Sequence, residues 1–265
     1  MKTSRIEETT LVLVGAGNVA TRLGIALHRQ GFSILQVYSR TLEAAASLAY
    51  QTGARPTTSL DELIPDADLY LVSLKDDVLP ELIPRIAQGK TNALLVHTAG
   101  SIDMDVWKAY TANYGVLYPL QTFSKQREVE FAQIPFLIES NQPQSTQLLK
   151  QVAATLSHRV YEATSSQRRA LHLAAVFACN FVNHFYDEAA ELLRAQDLPF
   201  DLLLPLIDET ARKVHQLTPR EAQTGPAVRD DQEVIRRHLE LLHNCPSEQA
   251  LYRLMSRQIH LYQQR

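Results

Sequence analysis

The sequence predicts an α/β protein in which a doubly wound sheet in the N-terminal half is followed by an all-helical C-terminal domain. Short apolar runs alternate with helix-like segments along the first half, as a parallel sheet with crossover helices requires. The apolar run Leu11–Val14 leads directly into a G-x-G-x-x-A turn, Gly15–Ala20. From Thr164 onward, apolar residues recur at helical spacing. We therefore predict two domains, residues 1–163 and 164–265.

The predicted elements follow one another in a regular order. In the first half, strand patterns occur at residues 11–14, 33–38, 68–74, 93–97, 116–118, 136–138 and 159–161, with a short further segment at 54–56. Helix patterns lie between them at residues 21–30, 42–51, 60–64 and 145–156, and Pro80 and Pro84 bound or kink one more helix. In the second half, Ser165 or Ser166 caps a long helix at 167–194, and further helices are predicted at 201–217, 231–243 and 247–264.

The G-x-G-x-x-A turn has the residues that bind a dinucleotide in a doubly wound fold. Gly15 permits the tight turn from strand to helix, Gly17 lets a pyrophosphate approach the backbone, and Ala20 allows helix and strand to pack closely. The start of the helix, including Asn18 and Val19, offers free N–H groups and a positive dipole end to the phosphates. A turn with a purely structural role is the alternative.

The residues after the second strand favour NADP(H) over NAD(H). An NAD site usually has an acidic residue here for the ribose hydroxyl, whereas an NADP site uses arginine for the 2′-phosphate. The strand ends in Ser39, Arg40 and Thr41, and the nearest acid, Glu43, falls inside the next helix. Arg40 can bind phosphate through two parallel hydrogen bonds, with the two hydroxyls as further donors. The alternative is a solvated Arg40 beside a helix cap at Thr41.

Three more segments are candidates because ligands of open α/β sheets bind beyond the carboxyl ends of the strands. The predicted cofactor contacts at two of these strand ends are Ser73, Leu74, Lys75, His97, Thr98, Ala99 and Gly100. The small residues after His97 would let a nicotinamide ring lie close to the backbone. The predicted substrate contacts are Ser101, Gln121 and Thr122. A solvated Lys75 and a structural His97 are the alternatives.

A polar stripe runs along the long helix of the second half. His172, Val176, Asn180 and Asn183 share one helix face by their spacing. If this face meets the first domain, His172 can act as general acid or base, Asn180 can orient a carbonyl or hydroxyl, and Asn183 can contact the substrate. Alternatively, His172 caps a neighbouring element and the asparagines form hydrogen bonds between helices.

A Gly/Pro turn at residues 224–231 interrupts the helical half. Thr224 and Arg229 are candidate substrate contacts, since arginine can hold a carboxylate or phosphate. The alternative is a linker in which Asp230 or Asp231 caps the next helix.

The composition excludes several functional classes. The 265 residues carry a net charge of −3, so the chain lacks the basic surface that nucleic acids or anionic membranes attract. No apolar run reaches the length of a membrane span, and residues 1–10 lack the apolar core of a signal peptide. The two cysteines show no metal-binding spacing. We expect a cytoplasmic protein without a metal ion.

Taken together, these segments resemble a family of Rossmann-like proteins with a C-terminal helical domain of unassigned function, the DUF2520 type. The resemblance rests on residues 15–20, 97–101, 119–123, 172–183 and 224–230, and Asp230 departs from it because glycine is expected there. The family is similar to pyrroline-5-carboxylate reductase, prephenate dehydrogenase and the β-hydroxyacid and 6-phosphogluconate dehydrogenases. This similarity implies NADP and a helical domain that often completes the site across a dimer. The catalytic lysine of the β-hydroxyacid dehydrogenases is missing from the long helix, where His172 and Asn180 take its place.

We predict an NADP(H)-dependent oxidoreductase of a small organic substrate bound between the two domains. His172 would exchange the proton, Asn180 would orient the substrate, and the chain would form a homodimer through its helical domain. One alternative is a non-catalytic dinucleotide-binding sensor whose helices form a dimer or partner surface. A site that binds the deazaflavin F420 together with NADP is another.

Overall fold

The computed structural model describes residues 8–264, and the first half of the chain forms one eight-stranded sheet. In chain order, the strands are β1 (Thr10–Val14), β2 (Ser33–Tyr38), β3 (Arg55–Thr57), β4 (Leu69–Val72), β5 (Leu94–His97), β6 (Tyr114–Pro119), β7 (Phe136–Ser140) and β8 (Val160–Glu162). They lie side by side in the order β3-β2-β1-β4-β5-β6-β7-β8. The order reverses between β1 and β4, which is where doubly wound sheets bind dinucleotides.

Four α-helices cover this sheet. They are α1 (Asn18–Arg29), α2 (Leu42–Thr52), α3 (Leu79–Ala87) and α4 (Pro143–Ala154). The helix predicted at residues 60–64 is instead a short 3-10 turn, Leu60–Glu62.

The last two strands run against the direction of the others, so the prediction of a parallel sheet holds only as far as β6. Strand β7 pairs antiparallel with β6, and β8 is parallel to β7. A parallel neighbour needs a crossover connection, usually an α-helix. The segment between β6 and β7, residues 120–135, contains only a 3-10 turn, Phe131–Gln133, and no crossover α-helix. The chain therefore turns back, and β7 lies antiparallel beside β6.

The core of this half lies on both faces of the sheet. Successive residues of β1 point to opposite sides, so that Leu11 and Leu13 join one apolar cluster while Val12 and Val14 join the other. All four side chains are buried. Near-continuous apolar strands are therefore explained by burial on two faces, as in other doubly wound sheets.

The second half is helical as predicted. Its α-helices are α5 (Ser165–Ala175), α6 (Val182–Arg194), α7 (Leu204–Lys213), α8 (Gln232–Leu241) and α9 (Pro246–Gln263). The predicted long helix contains a π-helical segment, Val176–Phe181, between α5 and α6. The predicted cap was wrong by one residue, because the Thr164 hydroxyl and the Gln167 side chain form a capping box at the start of α5.

By its contacts the chain divides into an α/β unit that ends at Cys179 and a helical unit that begins at Asn180. The sheet ends with β8 at Glu162, beside the boundary predicted between residues 163 and 164. The contact division falls later because α5 packs on the α/β unit. The predicted boundary remains a prediction.

The helical unit has almost no core of its own. Among its described residues, 180–264, only Ala227 and Leu242 are buried apolar residues. Large apolar side chains are exposed along its helices: Leu192, Leu198, Leu202, Leu204, Leu206, Val214, Leu217, Leu241, Leu254 and Leu261. No helix within residues 8–264 is long and apolar enough to cross a membrane.

Candidate functional site

A cavity of about 290 Å³ lies at the carboxyl ends of β1, β2 and β4. Eight of the predicted cofactor contacts line it: Gly15, Gly17, Ser39, Arg40, Thr41, Ser73, Leu74 and Lys75. The lining contains two cations, Arg40 and Lys75, and no carboxylate. This charge suits a ligand with several phosphates, and the absence of an acid at the end of β2 suits a 2′-phosphate better than a free ribose hydroxyl.

Gly15 is required by the way the turn packs on β4. Its φ is +120°, and a Cβ at this position would lie 2.3 Å from the carbonyl oxygen of Ser73. Its backbone N–H donates to the carbonyl of Tyr38 at 2.8 Å. Gly15 therefore joins the ends of three strands, and any side chain would force them apart.

Gly17 has a different role, because the space in front of it is open. A Cβ at this position would meet nothing within 4 Å. Gly17 is the N-cap of α1, no side chain caps the helix, and its first turn has no acidic residue. The free N–H groups and the positive end of the dipole therefore face open space, which is the arrangement that binds a phosphate group. The chain's own residues thus fit a dinucleotide.

The loops after β4 and β5 are joined by hydrogen bonds between side chains. Thr98 Oγ1 donates to Ser73 Oγ at 2.9 Å, and the Ser101 hydroxyl donates to the Asp76 carboxylate. The first bond places Thr98 next to Ser73, which lines the cavity, and the second places Ser101 against Asp76, which follows the lining residue Lys75. The structure therefore brings the predicted cofactor contacts of both strand ends together.

His97 supports its loop from inside the protein. The side chain is fully buried and does not line the cavity. Burial, assisted by the charge of Arg168, lowers the pKa of His97 to about 3, so the ring is neutral near pH 7. Its Nδ1 accepts a hydrogen bond from the N–H of Ala99 at 3.2 Å. This geometry favours a structural role for His97 in supporting the loop after β5. Its role as a cofactor contact stays a prediction.

His172 meets the sheet at the end of β6. Its Nδ1 lies 3.0 Å from the hydroxyl of Tyr118. A Cβ on Gly100 would lie 2.5 Å from the same nitrogen, so the backbone of the β5 loop is in contact with the ring. The sequence analysis missed Tyr118, although its place at the end of a strand pattern, just before Pro119, was a usable signal. We call the contact between Tyr118 and His172 the Tyr–His pair, and Gly100 of the β5 loop packs against its imidazole ring.

The reversed direction of β7 and β8 explains how His172 reaches this edge. Because β8 ends at the amino edge of β1 to β6, α5 starts there and runs toward their carboxyl edge. Arg168 lies beside Glu139, which is paired with Val116 of β6. His172 is one turn further, about 6 Å along a helix, and Tyr118 is about 6–7 Å along its strand from Val116. Helix α5 and strand β6 therefore place the side chains of His172 and Tyr118 at the same height along the sheet, where they are in contact.

A buried ion pair fixes the start of α5. Arg168 Nη1 lies 2.7 Å from Glu139 Oε2, and the arginine side chain is 1% exposed. Arg168 also donates to the carbonyl of Ile102, and Glu139 Oε1 accepts from the N–H of Ser165 at 2.8 Å. Each carboxylate oxygen thus has a partner, as a buried charge requires.

Of the predicted contacts at the start of α1, Asn18 is exposed, Val19 is partly buried and Ala20 is buried. The predicted substrate-site residues that follow β6 or belong to the helical unit are exposed. Gln121 and Thr122 follow β6, and the Thr122 N–H donates to Gln121 Oε1 at 2.8 Å. Asn180, Asn183, Thr224 and Arg229 all belong to the helical unit. Their predicted contacts with substrate stay predictions.

The Gly/Pro turn explains the departure at Asp230. Its φ is +54°, in the region where glycine is favoured and where aspartate is one of the better-tolerated alternatives. Asp231 then caps α8 by accepting from the N–H of Val234 at 3.2 Å. The turn expected around residue 230 is therefore formed without glycine.

Comparison with protein families gives two matches. Residues 134–259 match the domain of unknown function DUF2520. Residues 10–100 match the family described as NADP oxidoreductase, coenzyme F420-dependent. No curated protein matches the chain significantly.

Comparison with solved structures identifies the family. A Bacteroides fragilis protein assigned as an NADP oxidoreductase is 58% identical, with a TM-score of 0.94, over 97% of this chain and 99% of that chain. The chain belongs to this family of NADP oxidoreductases. NADP is accordingly its cofactor, and its substrate is a small molecule.

More distant structures share the fold alone. A Thermotoga maritima protein is 22% identical with a TM-score of 0.77, over 96% of this chain and 100% of that chain. An imine reductase from Myxococcus stipitatus in complex with NADP+ is 16% identical with a TM-score of 0.65, over 95% and 91%.

Proposed function

We propose that this NADP oxidoreductase transfers a hydride between the nicotinamide and a carbonyl, imine or alcohol carbon, with His172 as the group that exchanges the proton. The observation that carries the proposal is the contact between His172 Nδ1 and the Tyr118 hydroxyl, 3.0 Å, at the carboxyl edge of the sheet. The cofactor cavity lies at the same edge. A polar pair beside a dinucleotide cavity is a suitable place for acid–base chemistry.

The residues around the cavity each have a part in holding the cofactor. Gly17 and the N-terminus of α1 bind the pyrophosphate, and Arg40 with the hydroxyls of Ser39 and Thr41 binds the 2′-phosphate. NADPH, when bound, supplies the hydride. The loop of Thr98 to Gly100 would hold the nicotinamide.

The chain's own contribution to the reaction is a proton and an orientation. When a carbonyl carbon receives the hydride, its oxygen takes the proton from His172, giving an alcohol. In the opposite direction His172 accepts that proton. Asn180 orients the substrate, with Ser101, Gln121 and Arg229 among its contacts.

We also propose that two copies of the chain associate through the helical unit. Its many exposed apolar side chains support this proposal, because contiguous apolar patches of this kind mark interaction surfaces. The dehydrogenase families that this chain resembles often complete their site across a dimer through the helical domain, which favours a second copy. A second copy is therefore the occupant that fits.

The deciding experiment is calorimetric titration of NADPH and NADH into the wild type and Arg40→Ala. We expect NADPH to bind more tightly than NADH, and Arg40→Ala to weaken NADPH about tenfold or more, about 1.4 kcal/mol, with little effect on NADH. Arg55→Ala is the matched control, since Arg55 is an exposed arginine in β3 outside the cavity. If neither nucleotide binds, the proposed function fails.

A non-catalytic sensor is the second candidate, favoured by the extent of the exposed apolar helices. Screening NADPH oxidation against aldehydes, ketones and imines separates the two candidates. Tight binding without turnover of any of these classes favours the sensor, and turnover that His172→Gln abolishes favours the enzyme.

A further inference from the structure

The hydroxyl of Tyr118 has a single hydrogen-bond partner within residues 8–264, which is Nδ1 of His172 at 3.0 Å. Both side chains are half-buried, and the rings meet edge to face with centroids 6.0 Å apart. The geometry permits two arrangements. Either the phenol donates to Nδ1, or Nδ1 donates to the phenol oxygen.

The protonation of the phenol favours the first arrangement. Burial raises the pKa of Tyr118, with Arg168 acting in the opposite direction and Asp76 in the same direction, so the hydroxyl keeps its proton near neutral pH. If the phenol only accepted, that proton would have no acceptor among residues 8–264. If the phenol donates, its proton is bonded and a neutral imidazole must carry its own proton on Nε2.

The backbone of the β5 loop closes off the same side of the ring. A Cβ on Gly100 would lie 2.5 Å from Nδ1 and 2.7 Å from Cγ of His172. Nε2 is on the far side of the ring from this loop, and it has no hydrogen bond to any residue in 8–264 and is not among the fully buried polar atoms. A substrate oxygen can therefore approach Nε2 but not Nδ1.

We propose that Tyr118 is a positioning residue that holds His172 in the Nε2–H tautomer and replenishes its proton at Nδ1. This inference rests on the proposed function, because it concerns the same proton. As hydride reaches a carbonyl carbon, the bond from Nε2 to its proton breaks and the substrate oxygen gains that proton. The Tyr118 O–H bond breaks at the same time and Nδ1 gains its proton, which leaves an alcohol, a neutral Nδ1–H imidazole and a phenolate.

The buried cation of Arg168 supports this direction of transfer. Burial raises the pKa of Tyr118, and the charge of Arg168 acts against this effect, so that Arg168 favours the phenolate relative to the same site without the cation. An alkoxide is a far stronger base than a phenolate, so the transfer runs toward the alcohol. After the product leaves, solvent supplies a proton to Nε2 and Nδ1 returns its proton to the phenolate, which restores the Nε2–H imidazole and the Tyr118 hydroxyl.

The test is nitrogen-15 NMR of the histidine side chains in the NADP+-loaded full chain. The resonances of His172 are assigned by their loss in His172→Gln. We expect Nε2 to carry the proton in the wild type and Nδ1 to have the shift of a hydrogen-bonded acceptor. In Tyr118→Phe, Nδ1 should move to the position of an acceptor without a hydrogen bond, while Tyr110→Phe, which changes an exposed tyrosine, should leave both nitrogens unchanged.

The outcomes separate this inference from the proposed function. A proton on Nδ1 in the wild type, or no movement of Nδ1 in Tyr118→Phe, overturns the inference and leaves the hydride transfer untouched. Conversely, the expected spectra without NADPH turnover would retain the tautomer and refute the reaction. Circular dichroism and urea unfolding of Tyr118→Phe distinguish a local change from a loss of fold.

Discussion

The α/β unit and the helical unit differ in how far each one buries its apolar residues. The sheet carries an apolar cluster on each face, and its strands β1, β4 and β5 contain only buried or nearly buried residues. Among the described residues of the helical unit, Ala227 and Leu242 are the only buried apolar ones. Helices that present apolar faces need another surface to cover them.

This difference teaches that the two units obtain their stability in different ways. The α/β unit has a complete core within one chain. The helical unit leaves most of its large apolar side chains exposed within one chain, and we propose that a second copy covers them. Its stability should therefore depend on protein concentration, whereas that of the sheet should not.

The largest expected effect is on association. Leu192 of α6 is 50% exposed and lines an apolar groove with Leu242, Leu251 and Met255. Leu192→Glu would bury a charge without a partner in the interface, and we expect the dimer to weaken by about 1,000-fold, about 4 kcal/mol. Light scattering over a dilution series measures this.

Tyr50→Glu is the matched control for association, since Tyr50 is 91% exposed on α2 of the α/β unit. It should leave the dimer unchanged. If the wild-type chain is monomeric at all concentrations, the proposed dimer is refuted, because the helical unit is then stable with its apolar side chains exposed.

Within the α/β unit, the largest expected effect comes from the buried ion pair. Arg168→Met leaves the Glu139 carboxylate without its partner, and we expect the free energy of unfolding to fall by about 3–5 kcal/mol. Urea unfolding measures this. Arg85→Met is the control, because the Arg85–Asp61 pair is exposed and should contribute less than about 1 kcal/mol.

The two glycines of the turn should separate stability from binding. Gly15→Ala places a Cβ against the Ser73 carbonyl at a positive φ, so we expect a loss of about 2–3 kcal/mol in unfolding free energy. Gly17→Ala meets no atom within 4 Å, so its stability should stay near the wild type while NADPH binding weakens. Equal loss of stability in both variants would contradict the different roles assigned to them.

The smallest expected effect concerns pH and the buried His97. Its folded pKa of about 3 lies below the ordinary value of 6.5, so below pH 6.5 the unfolded chain binds a proton that the folded chain does not. Stability is therefore lost as pH falls through this window, by about 1.4 kcal/mol per unit at most, or about 2 kcal/mol at pH 5. His97→Asn should show a shallower decline between pH 7 and 5 in urea unfolding, and identical slopes would refute the assigned burial effect.

Much of the cofactor site could be predicted from the sequence because its parts are local. The glycine turn, the arginine after β2 and the residues after β4 are each fixed by their place next to one strand end. The Tyr–His pair could not, because it depends on the direction of β7 and β8. Hydrophobic patterning indicates where these strands lie in the sequence but not their direction. That direction decides which end of α5 lies next to the end of β6.

The spacing of the polar stripe was also beyond sequence reasoning. The spacing of the apolar residues predicts a regular α-helix from His172 to Asn183, whereas a π-helical segment occupies Val176–Phe181. Hydrogen bonds in such a segment span five residues instead of four, so the faces before and after it are rotated relative to the α-helical expectation. No residue in this stretch is a glycine or proline that would have signalled the change.

The antiparallel pairing of β6 with β7 also bears on the order in which the chain folds. These two strands are joined by one short segment, residues 120–135, whereas pairing β1 with β4 brings together residues as far apart as Thr10 and Asp68, 58 positions along the chain. Pairings between nearby segments cost less loop entropy and form sooner. The β6–β7 ribbon, which carries both Tyr118 and Glu139, is thus suited to form before β1 and β4 pair and complete the edge that binds the cofactor.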